Sequence, residues 1–486
     1  MRRNPRWSLG VPMVVAFTLV VFHAPAAGQV APKGDNAQVT FTRDIAPILQ
    51  RSCQRCHRPD SIAPMSLLTY EEARPWARAI KYRTGLRNKP DAMPPWYVEK
   101  NIGIQQFKGD ISLSDEEVAK IARWADSGAP RGNPADMPPP LTFGDAATWQ
   151  LGQPDLIVWS PAVDMAPTAP DWWGALKDVP TGLTEDRYVA SVEMREVNDL
   201  ERRIERQTIG GRFIFHHLVW NAVRADEVKV SEDETAAAVR TGWPVHEVGR
   251  NADAFDPDAG ILLKADSKLV FPSAHMHSTG RQTKGHVEFG FKFHPKGYQP
   301  KTKLQSVTTA SGALDIRAME SNQKFEAFSV LPEHTKMINY EPHMHAAGVR
   351  MCLDAIWGTM VETLSCSGYN HGWVRVYTYA DDAAPLLPKG TILRITGYFD
   401  NTPANKNVSD PRNWSGLGHR SMDNMMINIG KGIYLNDDEF RQEVAQRREK
   451  LHLAEGQTVI GCPLCGYSKI PGESKPAAAT AGSQQP

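Results

Sequence analysis

From Trp149 to about Tyr467 the chain breaks into short runs rich in Val, Ile, Tyr, Phe and Trp, parted by turn residues: DLIVWS, RYVASVEM, GRFIFHHLVW, KLVFPS, HVEFGFKF, TKMINYEP, VRMCLDAIW, MVETLSC, GWVRVYTY, TILRITGYFD and MMINIGKGIYL. Such a series predicts antiparallel sheets packed as sandwiches. The stretch is longer than one sandwich uses. SGALDIRAMESNQ marks the expected seam, giving one sandwich over residues 147–310 and a second over 311–467. At 486 residues the whole chain has room for about three domains of ~100–200 residues.

Ahead of these strands the chain reads as helical. FTRDIAPILQRSCQRCHRPD runs as a helix into a C-x-x-C-H motif, where Cys53, Cys56 and His57 have the spacing for covalent attachment of one haem c: two thiols for the vinyl groups, one imidazole for the iron. The sixth ligand is expected to be a downstream methionine. Met93, in the Pro-rich loop DAMPPWYVEK that holds the chain extended, is preferred, and Met65, close behind the attachment motif, is the alternative. One helix is expected over Tyr70 to Thr84. Another lies in SLSDEEVAKIARWADSGAP, which opens on a capping cluster, spaces Val118, Ile121, Ala122 and Trp124 on one face, and stops at Gly128. Together these give a small all-α cytochrome c domain over residues 38–130, followed by a Pro- and Gly-rich, extended linker over 131–146.

Residues 1–28 have the pattern of an export signal: Arg2, Arg3 and Arg6, then the apolar run Val11 to Phe22, then Ala24-Pro25-Ala26 as an A-x-A cleavage site. That run is short of the about 20 residues that span a bilayer, and no later run is longer. The expectation is a periplasmic or secreted protein with no membrane span after cleavage. Basic and acidic residues number 55 each, so there is no electrostatic ground for a nucleic-acid partner. Export permits disulfides. Cys352 and Cys366 lie symmetrically about Thr359, beside Gly358, in position to face each other across a hairpin. Cys462 and Cys465 lack the histidine of a second haem motif, since Gly466 stands there, and are expected to form a short-loop disulfide. The tail, 468–486, is low in complexity and expected to be disordered.

Metal-ligand residue types fall in clusters. In YEPHMHAAG, strand alternation projects His343 and His345 from one face and Met344 from the other. FHHLVW carries His216 and His217, PSAHMHSTG carries His275 and His277, and RSMDNMMINIG carries Met422, Met425 and Met426. The neighbours His216 and His217 would face opposite ways on a regular strand, so both can bind one ion only if the strand is bulged or twisted. Imidazoles suit Zn, Cu, Fe and Ni, whereas two imidazoles with a thioether select an ion that cycles through Cu(I), which makes copper the expected metal.

Taken in order, the His216-His217 pair, the strand-borne His275, PHMHAAG, YFDNTPANKNVSDP and SMDNMM resemble the copper type II ascorbate-dependent monooxygenases, the family of peptidylglycine alpha-hydroxylating and dopamine beta-monooxygenases, over Trp149 to Leu435. The resemblance implies two jelly-roll sandwiches with one copper each, separated by a solvent-filled cleft. The electron-transfer copper would take His216, His217 and a third histidine from HMHSTG, either His275 or His277, with His275 taken first. The oxygen-activating copper would take His343, His345 and a methionine of SMDNMM, with Met425 placed ahead of Met426 and Met422. His371 and His419 match no ligand position and are read as residues around the sites or on the surface. The expected fold class is therefore multidomain, a small all-α cytochrome c domain followed by two all-β jelly-roll sandwich domains. The expected activity is copper-dependent monooxygenation: a C-H bond of a small-molecule or peptide substrate is hydroxylated with O2, using two copper ions and one haem c fed by an external one-electron donor, ascorbate or a redox protein. The alternative is a haem and copper electron-transfer or copper-binding protein without oxygenase activity.

Overall fold

A computed structural model describes residues 38–59, 61, 63–143, 149–200, 213–224, 242–247, 252–418, 420 and 422–468. The expected export signal, His419 and all but Ser468 of the expected tail lie outside the described residues. The described chain is mostly β-sheet with few short helices. None of those helices is long and apolar enough to cross a membrane. Both expected disulfides, Cys352–Cys366 and Cys462–Cys465, are formed.

The helices near the N-terminus share a core of their own. Phe41, Ile45 and Leu49 recur at helical spacing and are fully buried, and helix Asp115–Asp126 presents Ile121 and Trp124 to the same core. Its start is fixed by a capping box: the Ser114 hydroxyl accepts from the Glu117 N–H, and the Glu117 carboxylate accepts from the Ser114 N–H. Past its end, Gly128 takes φ +86° and the Trp124 indole donates to the Pro130 carbonyl at 3.1 Å. This region is not purely helical. Val98–Gly103 is a strand paired antiparallel with Met360–Gly368, and Trp96 and Phe107 pack on Tyr377 and Tyr379 with ring centres 5.1 and 5.3 Å apart. VEKNIG has no run of β-formers, so the neighbouring strand, not propensity, makes it a strand.

Two pairs of facing sheets follow. In the first, Trp172–Pro180, Ser267–Met276, Phe215–Arg224 and His246–Glu247 form one sheet, and Leu156–Trp159, Thr283–Phe293, Arg187–Asn198 and Ala252–Ala254 run through the other. Trp220, Phe271, Phe289 and Phe291 fill the space between them, each large buried side chain contributing roughly 1.5–3 kcal/mol. In the second pair, the sheet containing Gly348–Trp357 and Ile392–Phe399 faces the sheet containing Met426–Leu435 across a core of Met351, Leu353, Ile395, Phe399 and Met426. Helix Asp437–Lys450 closes one end, stacking Phe440 on His334 with ring centres 4.2 Å apart.

The helical region meets the second pair at Gly368, whose N–H donates to the Tyr97 carbonyl at 2.9 Å. A Cβ there would stand 1.7 Å from the Asn88 carbonyl oxygen. Gly368→Ala is therefore expected to push these parts apart and lower stability by about 1–3 kcal/mol in a denaturant titration. An unchanged midpoint would contradict the packing.

Candidate metal centre

The first histidine cluster rests on a break in strand pairing. Between Phe215–Arg224 and Ser267–Met276 the register runs His217 opposite His275 and then Phe215 opposite Met276, skipping His216. His216 is the extra residue of a bulge, and the bulge brings it round to its neighbour's side. Upstream, the buried Glu196 carboxylate accepts the N–H groups of Ile214 and Phe215, both at 2.8 Å, which anchors the strand entering the bulge. Ligand-type nitrogens of His216, His217 and His275 all lie within 4.8 Å of one another. Their ring centres are 4.8 to 5.9 Å apart, which fits a metal–nitrogen bond of about 2 Å. His275 is held by Asp171, 3.0 Å from its Nε2, and by Trp173 stacked 4.6 Å away at 8°, which together fix the ring. Burial, and secondarily the adjacent imidazoles, hold His216 and His217 well below the ordinary histidine pKa and hence neutral, as ligands must be. The His216 Nδ1 is sealed from solvent with no hydrogen-bond partner among the described residues. Such a buried orphan costs about 1–3 kcal/mol, and a bound ion relieves it. His277 stays outside this triad, since its nitrogens do not belong to the group that lies within 4.8 Å of one another.

The second cluster follows from strand alternation. Pro342–Met344 pairs with the start of Met426–Leu435, with His343 opposite Ile427 and Met344 opposite Met426. Met344 and Met426 point into the core, both 0 % exposed, so His343 and His345 face the other way with ring centres 5.4 Å apart. The pairing ends at Met344 opposite Met426, and Met425 and His345 are the residues just beyond it on the two chains. Met426 is a packing residue: a Cβ on Gly397 would come 2.4 Å from its sulfur. Met422 is 54 % exposed. Asn424, beside Met425, is tied by its side chain to Ser415 at 2.7 Å and by its backbone to Gly416 and Gly418. The Tyr369 hydroxyl donates to the Met344 carbonyl and braces the histidine strand from behind.

Two residues that spacing did not single out complete the centre. Glu247, 2 % exposed and opposite His217 in the first pair of sheets, places Oε1 2.9 Å from Nδ1 of His343 in the second. His371 stands between the clusters, its ring 4.9 Å from that of His216 and 6.2 Å from that of His345. GWPVHEVG offers no motif pointing to Glu247, and His371 lies in no HxH pair. His216, His217, Glu247, His343 and His371 line one cavity of about 10 Å³, room for about a single water. Where the resemblance implies a solvent-filled cleft between two sites, the Glu247–His343 contact here draws both clusters onto one small void.

In the C-x-x-C-H segment, Cys53 and Cys56 are free thiols, and burial pushes Cys53 up to about 12. His57 is 8 % exposed, and its Nδ1 lies 3.2 Å from the Met65 carbonyl oxygen, leaving Nε2 for a metal. The Met65 carbonyl thus sits against the Nδ1 side of the imidazole. Met93 lines a separate cavity of about 320 Å³ with Arg87, Trp96 and Leu113, which Cys53, Cys56 and His57 do not border. The segment 370–375 joins this region to the histidines: Asn370 donates to the Tyr97 hydroxyl at 3.0 Å, Trp373 packs with Ala92 and Tyr97, and the Arg375 guanidinium lies 5.4 Å from the Trp96 ring centre.

No protein-family model matches this chain, and no curated protein matches it in sequence. Among solved structures it is similar, at 9 % identity, to a chain of the icosahedral T13 IBDV viral particle, over 59 % of this chain and 80 % of that one with a TM-score of 0.16. A likeness that slight carries no argument.

The geometry favours His275 over His277 as the third imidazole. In titrations of metal-free protein with Co(II), His275→Ala is expected to weaken binding at this cluster by at least roughly tenfold and His277→Ala to leave it unchanged. The opposite pattern would contradict the assignment.

Proposed function

We propose that this chain is a copper-dependent monooxygenase that puts one atom of O2 into a C-H bond of a small-molecule or peptide substrate, with electrons delivered through a haem c attached at Cys53 and Cys56. What supports the reading is the grouping of His216, His217 and His275, whose ligand nitrogens lie within 4.8 Å of one another, together with the His343 and His345 rings 5.4 Å apart; Met425 is taken as the thioether beside the latter pair. Three imidazoles suit a copper that changes oxidation state, and two imidazoles with a thioether favour Cu(I), the state that reduces O2. One oxygen atom goes to the product and the other to water, with two protons and two electrons taken up. Those electrons must come singly, which is how a haem gives them.

The chain's own side chains do the positioning. Asp171 and Trp173 fix the His275 ring, Glu247 fixes that of His343, and burial keeps water from the clusters. His57 would bind haem iron through Nε2; of the two methionines weighed for the other side, Met93 with Met65 as the alternative, Met93 lines a cavity that His57 does not border. The covalent path from His371 to Arg375, whose guanidinium lies 5.4 Å from the Trp96 ring centre, supports electron delivery from the N-terminal region. In finer terms, residues 38–130 are taken as the cytochrome c domain, 131–146 as the linker, and 147–310 and 311–467 as jelly-roll sandwiches, in a periplasmic or secreted protein whose external donor is ascorbate or a redox protein.

One feature favours the alternative, a haem and copper electron-transfer or copper-binding protein without oxygenase activity. The shared cavity of about 10 Å³ has no room for a substrate. Oxygenation requires the Glu247–His343 contact to open.

Stopped-flow absorbance tests the relay. After reduction and mixing with O2, the haem of copper-loaded protein is expected to reoxidise faster than that of copper-free protein, and His343→Ala is expected to abolish turnover with the haem spectrum unchanged. Equal reoxidation rates with and without copper would overturn the proposal. Transfer of label from isotopic O2 into an organic product separates the oxygenase from a carrier.

A further inference from the structure

His371 belongs to neither expected ligand set, yet it is built into the centre. Asn370 makes the turn that aims it: the Asn370 Oδ1 accepts from the Gly372 N–H at 3.1 Å and its carbonyl accepts from the Trp373 N–H at 3.0 Å. The same Asn370 side chain donates to the Tyr97 hydroxyl at 3.0 Å, so the turn is fastened to the helical part of the chain. Thus oriented, the His371 ring lines the shared cavity, facing His216 on one side and His345 on the other. Two imidazoles on one ion, with metal–nitrogen bonds of about 2 Å, have ring centres roughly 4.5 to 6.5 Å apart, and both of its neighbours fall in that range at 4.9 and 6.2 Å.

Its hydrogen-bonding state points the same way. The His371 Nδ1 is sealed from solvent and has no hydrogen-bond partner among the described residues. A neutral imidazole carries one N–H and one lone pair, and burying either unpaired costs about 1–3 kcal/mol. A structural histidine can be satisfied by a backbone carbonyl, as His294 is by Ala259 at 3.0 Å.

We infer that His371 is a further metal ligand, an imidazole standing between the two histidine clusters and able to bind a first-row transition ion at the face of either. It is not within reach of a shared site with all of His216, His217 and His275, since among the described residues those three alone form a tight group. Its place is the boundary, where it completes the open coordination of a metal whose other ligands come from one cluster. Because its turn is pinned by Tyr97, the metal centre is mechanically tied to the segment that carries Met93. The inference rests on the metal-binding part of the proposed function.

The test uses full-length protein with haem attached, loaded with Cu(II), and compares wild type with His371→Ala, His371→Gln and His217→Ala. Copper stoichiometry, copper affinity by competition and the Cu(II) electron paramagnetic resonance spectrum are read, with circular dichroism confirming the fold. If His371 is a ligand, both of its variants change the copper hyperfine pattern and weaken affinity by at least roughly tenfold, and added imidazole restores the spectrum of His371→Ala. Spectra and affinities identical to wild type in a folded His371→Gln would overturn the inference while leaving the two-cluster reading intact. Changes that added imidazole does not reverse would mean that His371 acts only through packing, which also overturns it. Failure of wild type to take up copper, by contrast, would overturn the proposed function itself.

Discussion

The centre depends on one buried contact between two separately folded cores. Glu247 reaches from the sheet that carries His217 to the Nδ1 of His343, at 2.9 Å and almost without solvent. A carboxylate so placed is costly to bury unless paired. Its second oxygen has no partner among the described residues, so the imidazole is what holds the carboxylate there. The contact fixes which nitrogen of His343 remains for a metal and orients the ring, the usual work of a carboxylate behind a metal-bound histidine. It also presses the two clusters onto one cavity, so the state described is closed.

Much of this was legible because strand geometry is rigid. The short β-forming runs announced facing sheets, and the HxH spacing put His343 and His345 on one face before any coordinates were known. The adjacent pair His216-His217 demanded a bulge, and the register supplies one at that residue. Both disulfides followed from cysteine spacing. What spacing cannot give is which of several similar residues faces the site: Met425, Met426 and Met422 are told apart only by the partner strand, which turns Met426 into the core beneath Gly397. Glu247 and His371 were illegible for the same reason, since long-range packing brings them in. The strand Val98–Gly103 lay inside a stretch read as helical because its sequence carries no β-pattern; an existing sheet edge recruits it.

That recruited strand shapes how the parts of the protein communicate. Trp96, Val98, Ile104 and Phe107 belong to the same core as Met351 and Met426, so the N-terminal segment is not merely tethered through residues 131–146. Gly368, Tyr369, Asn370 and His371 are consecutive, and within these four residues the chain touches Asn88 and Tyr97 at one end and the histidine clusters at the other. The connection between the two regions is thus four residues long and covalent.

The central claim is that side chains from distant parts of the chain gather two metal ions. Anomalous diffraction at the copper edge from crystals of copper-loaded protein measures this directly. The account predicts two peaks, one bounded by His216, His217 and His275 and the other by His343, His345 and Met425. Absence of density at both places, or copper bound only elsewhere, would contradict it.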